Sequence, residues 1–197
     1  MIVSQFIDVT SSTSSVALDS LTPSGDDLDD VNIQLLSSGG TTVTTYSWNT
    51  YMYDTPRWVD DDMVEVEGVT FAAGQGLWVG GSADSQKLQS AGKVNLADLA
   101  VRLQNGATAT GNPFPTPIAL ADIYPSGDDL DDVNIQLLSS GGTTVTTYSW
   151  NTYMYDTPRW VDDDMVEVEG VTFEAGQGLW VGGSSDSQYL NFPAPEL

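Results

Sequence analysis

Residues 23–40 read PSGDDLDDVNIQLLSSGG, and residues 125–142 read the same letters again. The identity continues through TYSWNTYMYDTPRW (45–58) and GQGLWVGGS (74–82), so that 23–88 recurs as 125–190 at an offset of 102 residues. Of the 66 aligned positions only Ala72/Glu174, Ala83/Ser185 and Lys87/Tyr189 differ, which leaves 63 identical. The copies are a recent duplication or an engineered one. A repeat of this length predicts two units of about a hundred residues, each large enough to enclose its own core. The expected boundary lies near Gly92, giving units 1–92 and 93–197.

Inside the repeat, apolar Val31, Ile33 and Leu35 alternate with Asn32 and Gln34, the period-two signature of a half-buried strand. Ser38-Gly39-Gly40 supplies a turn, and 41–48 is dense in Thr, Val, Tyr and Trp, which predicts a hairpin. Arg57-Trp58-Val59 follows the turn Asp54-Thr55-Pro56. Met63, Glu65 and Glu67 alternate with valines and predict a strand over 63–69, acids outward, with a bend or bulge at Gly68. Leu77-Trp78-Val79 after a glycine turn predicts a short core strand. Short strands about ten residues apart, separated by Gly and Pro turns, predict an all-β fold: two tandem sandwich-like domains of antiparallel strands.

The flanks carry the rest of the strand inventory. The opening MIVSQFIDV reads as a strand and lacks the basic start and long apolar core of a signal peptide. Its expected counterpart is KVNLADLAVRL (93–103), either a strand or a short amphipathic helix with leucines at 96, 99 and 103. QNGATATGNP then reads as a polar linker. The tail NFPAPEL (191–197), with two prolines, reads as an extended arm or frayed end.

Composition excludes whole classes of chemistry. Twenty-eight acidic residues against five basic ones, a net charge of -23, exclude a nucleic-acid partner or an anionic membrane surface, since phosphate binding needs Lys and Arg. Without Cys or His there is no disulfide, thiolate or imidazole ligand, and no Ser-His or Cys-His nucleophile. No apolar run reaches the length of a membrane span. Glu65 and Glu67 share one exposed face without the cleft that a glycosidase pair needs, and Gly74-Gln75-Gly76 lacks the helix and lysine of a phosphate loop. The expectation is a protein that is not an enzyme.

The second unit carries GNPFPTPIALADI (111–123), TYSW (147–150) and FEAGQGLWV (173–181) in that order. This trio resembles a repeat of large secreted and surface proteins of Gram-negative bacteria, whose pattern runs GNP-aromatic-P, a Y-x-W strand, and an AGQG-aromatic-aromatic-V strand. The resemblance covers most of 111–190 and implies an extracellular or cell-surface β-sandwich used in adhesion or assembly, without catalysis. The first unit has SSTSSVALDSL where GNPFPTPIALADI stands, so the GNP element reads as an inter-unit connection.

Two candidate sites emerge. Asp26, Asp27, Asp29 and Asp30, repeated as Asp128, Asp129, Asp131 and Asp132, crowd four carboxylates into five residues. Ca2+ takes six to eight oxygens of this kind at about 2.3–2.6 Å. Asp60, Asp61 and Asp62, with Asp162, Asp163 and Asp164, are placed to complete such a site, as are Asp84 and Asp186. The alternative is a solvated acidic surface that keeps strand edges apart. Second, Tyr46, Trp48 and Trp58, with Tyr148, Trp150 and Trp160, would stack on glycan rings or else fill the core; Tyr51 and Tyr53 share another face. Arg57 and Arg159 are expected to pair with Asp54 and its twin, with the triplets, or with a ring. The dissimilar ends of the chain suit head-to-tail self-association, in which one copy adds a strand to the next.

Overall fold

The computed structural model describes residues 3–8, 15–37, 41–72, 75–82, 85–90, 97–138, 143–184 and 187–195. The protein is all-β, as the alternation requires. In the first unit the strands are β1 (Val3–Asp8), β2 (Val16–Ala17), β3 (Leu21–Ser24), β4 (Asn32–Leu36), β5 (Thr42–Asn49), β6 (Arg57–Val59), β7 (Thr70–Phe71), β8 (Gly76–Gly81) and β9 (Lys87–Ser90). In the second they are β10 (Leu99–Arg102), β11 (Gly106–Gly111), β12 (Ile118–Ala119), β13 (Tyr124–Ser126), β14 (Asn134–Leu138), β15 (Thr144–Asn151), β16 (Arg159–Val161), β17 (Thr172–Phe173), β18 (Gly178–Gly183) and β19 (Tyr189–Phe192). Among the described residues no helix is long and apolar enough to cross a membrane.

Each unit builds one five-stranded antiparallel sheet, β1-β8-β4-β5-β6 in the first and β11-β18-β14-β15-β16 in the second. Two-stranded ladders β2-β7 and β12-β17 stand beside them. The third ladder differs: β3-β9 in the first unit has two strands, whereas β10-β19-β13 in the second has three. The predicted hairpin is β4-β5, with Ile33 opposite Tyr46 and a register shift between Leu35 and Leu36. Its twin β14-β15 repeats the shift at Leu137/Leu138. All described strand pairs stay within one unit; the expected boundary at Gly92 lies outside the described residues.

Apolar faces meet in two clusters. Leu18, Leu21, Ile33, Trp58, Phe71 and Leu77 enclose the first, and their counterparts with Val101, Leu103, Phe114 and Phe192 enclose the second. Trp58 ties the layers together, its indole N–H donating to the Leu21 carbonyl at 2.9 Å, as Trp160 does to Ile123 at 2.7 Å. Where the units touch, β11 lies against β1 and β8. A Cβ on Gly76 would stand 2.6 Å from the Ala109 backbone, so this close approach requires glycine.

Several expectations are corrected. The counterpart of β1 is β11, because both pair with the glycine-ended strand of their unit (Val3 with Gly81, Gly106 with Gly183). GATATG is therefore a strand and no linker: Thr favours the pleat, and small side chains let β8 approach. Of the segment 93–103, residues 93–96 lie outside the described set and Leu99–Arg102 form β10, so the strand alternative holds there. Residues 63–69 do not form the expected strand. The Asp60 side chain accepts from Asp62 N and Val64 N, and Met63 turns left-handed at φ 62°, so only the single bridge between Val59 and Glu65 remains. Gly68, at φ 72°, does mark a bend.

The GNP element is built into the second unit. Asn112 is buried, its amide donates to the carbonyls of Thr116, Phe173 and Glu174, and its Oδ1 accepts from Phe114 N, which seats the Phe114 ring in the core. The tail also packs. Asn191 and Phe192 belong to β19, and Ala194 N donates to Asp98 Oδ1 at 2.8 Å. Residues 196 and 197 lie outside the described set.

Candidate functional site

The acidic turn starts where Gly25 and Asp27 adopt positive φ (118° and 49°), turning the chain into a single 3-10 turn over Leu28–Asp30. Its carboxylates serve as local caps. Asp26 accepts from Ser85 Oγ at 3.0 Å, and the Gln86 amide donates to the carbonyls of Asp26 and Asp27. Asp29 Oδ1 accepts both the N–H and the hydroxyl of Thr50, at 3.0 and 2.5 Å, which anchors the turn to the end of β5. Asp60 spends Oδ1 on its own turn. The second unit repeats each bond: Asp128 with Ser187, Asp131 with Thr152, Asp162 with Asp164 and Val166.

Asp27, Asp30, Asp61 and Asp62, with Asp129, Asp132, Asp163 and Asp164, project from exposed positions. Among the described residues no three carboxylates converge on one point. Asp84 and Asp186 lie outside the described set. What the loops supply is a set of exposed carboxylates on each unit, on turns held by side-chain hydrogen bonds to the backbone.

The predicted aromatic platform lies largely inside. Tyr46, Trp58, Tyr148 and Trp160 are core residues, and half-buried Trp48 meets Trp58 edge-to-face at 5.2 Å, as Trp150 meets Trp160 at 5.1 Å. Burial raises the Tyr148 hydroxyl above its usual titration range, because a phenolate there would be stripped of water. The second unit exposes Tyr124 and Tyr189, and both copies expose Tyr51 or its twin Tyr153, each followed by an exposed methionine, Met52 or Met154. Buried Asn49 fixes that loop by accepting from Met52 N at 2.8 Å.

Tyr53 donates to the Met63 carbonyl and lies beneath the Arg57 guanidinium, 4.6 Å from ring centre to Cζ. Stacking on a ring, one of the expected alternatives for Arg57, therefore holds, while its ion partner is Glu65 at 2.5 Å and neither Asp54 nor the triplet, because the Val59–Glu65 bridge brings Glu65 alongside. Arg159 makes the matching pair with Glu167.

Between the units a cleft of about 430 Å³ is lined by Leu35, Leu36, Gln75, Arg102, Gln104 and Thr108. Its polar groups are largely committed: Gln75 Oε1 accepts from Ala72 N, and Thr108 Oγ1 from Gln104 N.

The feature that the sequence did not single out is a strand edge. β19 is flanked by β10 and β13, and Leu190 is fully buried against Val101. Its twin β9 pairs, among the described residues, with β3 alone, and Leu88 is only partly covered. The hints were present in Lys87/Tyr189 and in Ser90 standing where the second unit has Phe192, but neither reveals which strand lies alongside. Comparison with known proteins finds no matching family model, no matching curated protein and no matching solved structure.

Proposed function

We propose that this chain is an extracellular structural or adhesive repeat protein that associates with itself into a filament or surface layer, with Ca2+ acting at the Asp-rich loops. The observation that carries this reading is the outer edge of β9, which among the described residues has β3 on one side and no strand on the other: an open row of backbone donors and acceptors is a ready template for another strand. Two near-identical units in series also present equivalent surfaces along an array.

Calcium enters through charge. Copies carrying -23 each repel one another, and a divalent cation shared between exposed carboxylates such as Asp61 and Asp62 of neighbouring copies offsets that repulsion. Sedimentation velocity and negative-stain imaging in millimolar Ca2+ and in chelator test the reading. Assemblies in Ca2+ that dissolve on chelation are expected; monomers throughout would overturn it.

A second reading, a tandem carbohydrate-binding module, is favoured by the exposure of Tyr51 and Tyr153 on braced loops. Two such rings on one chain bind a polymer with avidity. Glycan-array binding lost in a Tyr51→Ala/Tyr153→Ala double variant would support it, and an array silent to the unaltered protein would end it.

A further inference from the structure

We infer that β9 is the contact by which two copies of this chain pair, antiparallel, about a twofold axis through Leu88. The inference rests on the self-association proposed above and specifies one of its contacts.

The direction of the edge bonds comes from the covered twin. Leu103 N donates to the Gln188 carbonyl at 2.8 Å, so Gln188 faces β10. Backbone groups alternate sides along a strand, so Leu190, two residues on and opposite Val101, faces β10 as well. The other neighbour agrees: Pro125 stands opposite Leu190, and Pro23 opposite Leu88. Proline has no N–H to give, so the ladder bonds to β3 and β13 must be made by the flanking residues. Leu88 therefore turns its N–H and C=O outward.

What fits there is constrained by supply and by charge. Among the described residues each chain has two such acceptor edges, β9 and β19, and one strand, β10, that covers either. Passing β10 to β9 of another copy would uncover β19 and gain nothing. In the same register Arg102 would also lie opposite Lys87, a like-charge pair, where it now faces Tyr189.

A second β9 has neither defect. Antiparallel pairing centred on Leu88 sets that residue opposite Leu88 of the other copy, exchanging two hydrogen bonds and joining two partly covered leucines. Lys87 then lies opposite Gln89 of the other copy, so the one basic residue of β9 meets no like charge. Both residues are exposed and on the same face, away from the core. The contact uses the same patch on both sides and closes at two copies. β19 cannot form it, because β10 occupies the position.

The chain has no cysteine, which makes a cross-link unambiguous. In the full chain, Leu88→Cys places two thiols at a hydrogen-bonded pair, about 5.5 Å between Cα atoms, within disulfide reach. Mild oxidation is expected to give a covalent dimer from Leu88→Cys and none from Leu190→Cys. Two surface substitutions guard against a folding artefact. Gln89→Glu faces Lys87 across the axis twice and should tighten association by roughly twofold to thirtyfold, and Gln89→Lys should weaken it to the same degree. Assemblies that form without the Leu88→Cys cross-link, or that ignore both Gln89 changes, overturn this contact and leave self-association standing. Monomers in every condition overturn both.

Discussion

Leu88 and Leu190 hold the same position in two copies of one sequence, yet Leu190 is enclosed and Leu88 is only partly covered. Val79 and Val181 differ in the same sense, as do Gln86 and Gln188. The local rules are obeyed equally in both units. Hairpin register, bulge position, the left-handed aspartate and the Trp–Trp contact all repeat. Outside the repeat the units differ: among the described residues no strand stands beside β9 as β10 stands beside β19, and Ser90 holds the place of Phe192. At Leu190 and Gln188 the flanking β10 supplies the cover, as expected where a sheet residue's worth depends on its cross-strand partners, whereas Val79 and Val181 have equivalent strands on both sides.

Removing that cover should make the second unit resemble the first. Leu103 is fully buried, packs close to Gly183 and donates to Gln188 from its backbone. Leu103→Ala should destabilise the second unit by about 2–5 kcal/mol, the range for truncating an enclosed leucine. Hydrogen exchange read by mass spectrometry can assign the loss, because peptides containing Lys87 and Tyr189 differ in mass although their surroundings are otherwise repeated. Equal loss of protection in both peptides would mean that β10 supports the whole chain.

The hairpin, the core tryptophan and the all-β class were legible because each rests on contacts near in sequence or on a period of two. Ile33 next to Asn32 and Gln34 announces a face without any knowledge of what covers it. The misreadings share a different cause. GATATG hides a strand because Ala and Thr give little hydrophobic contrast, and its assignment depends on β18, some seventy residues away. MVEVEG advertises a strand that a capped turn at Asp60 pre-empts. The edge of β9 was invisible for the same reason: whether a strand is paired is a property of its neighbours. Of the candidate residues, the aspartates were identifiable as exposed, but their use as caps depends on Thr50 and Ser85, which lie far along the chain.

A subtler test asks whether the two units weigh their tryptophans alike. Trp58 satisfies the Leu21 carbonyl, so Trp58→Phe leaves a buried acceptor without a partner and should cost about 1–3 kcal/mol. The buried indole N–H of Trp48 has no partner among the described residues, so Trp48→Phe removes an unsatisfied donor and should be close to neutral. Trp160→Phe and Trp150→Phe should reproduce the pattern in the second unit. Thermal or denaturant unfolding of the four variants is the measurement, and a Trp48→Phe penalty as large as that of Trp58→Phe would contradict the hydrogen-bond assignment.

The smallest effect is expected where the units are most alike. Arg57 pairs with Glu65 with side chains 28% and 38% exposed, and Arg159 with Glu167 at 29% and 40%. Each guanidinium also covers a tyrosine ring at 4.6 Å. At this exposure water and salt screen the pair, and the coupling should be about 0.2–1 kcal/mol. Double-mutant cycles with Arg57→Met/Glu65→Gln and Arg159→Met/Glu167→Gln should return the same coupling within error, falling as salt is added. A coupling several times larger in the second unit alone would carry the influence of β10 from its own ladder to β16, the far edge of the five-stranded sheet. Equality would confine that influence to the strands that β10 touches, and with it the contrast between β9 and β19.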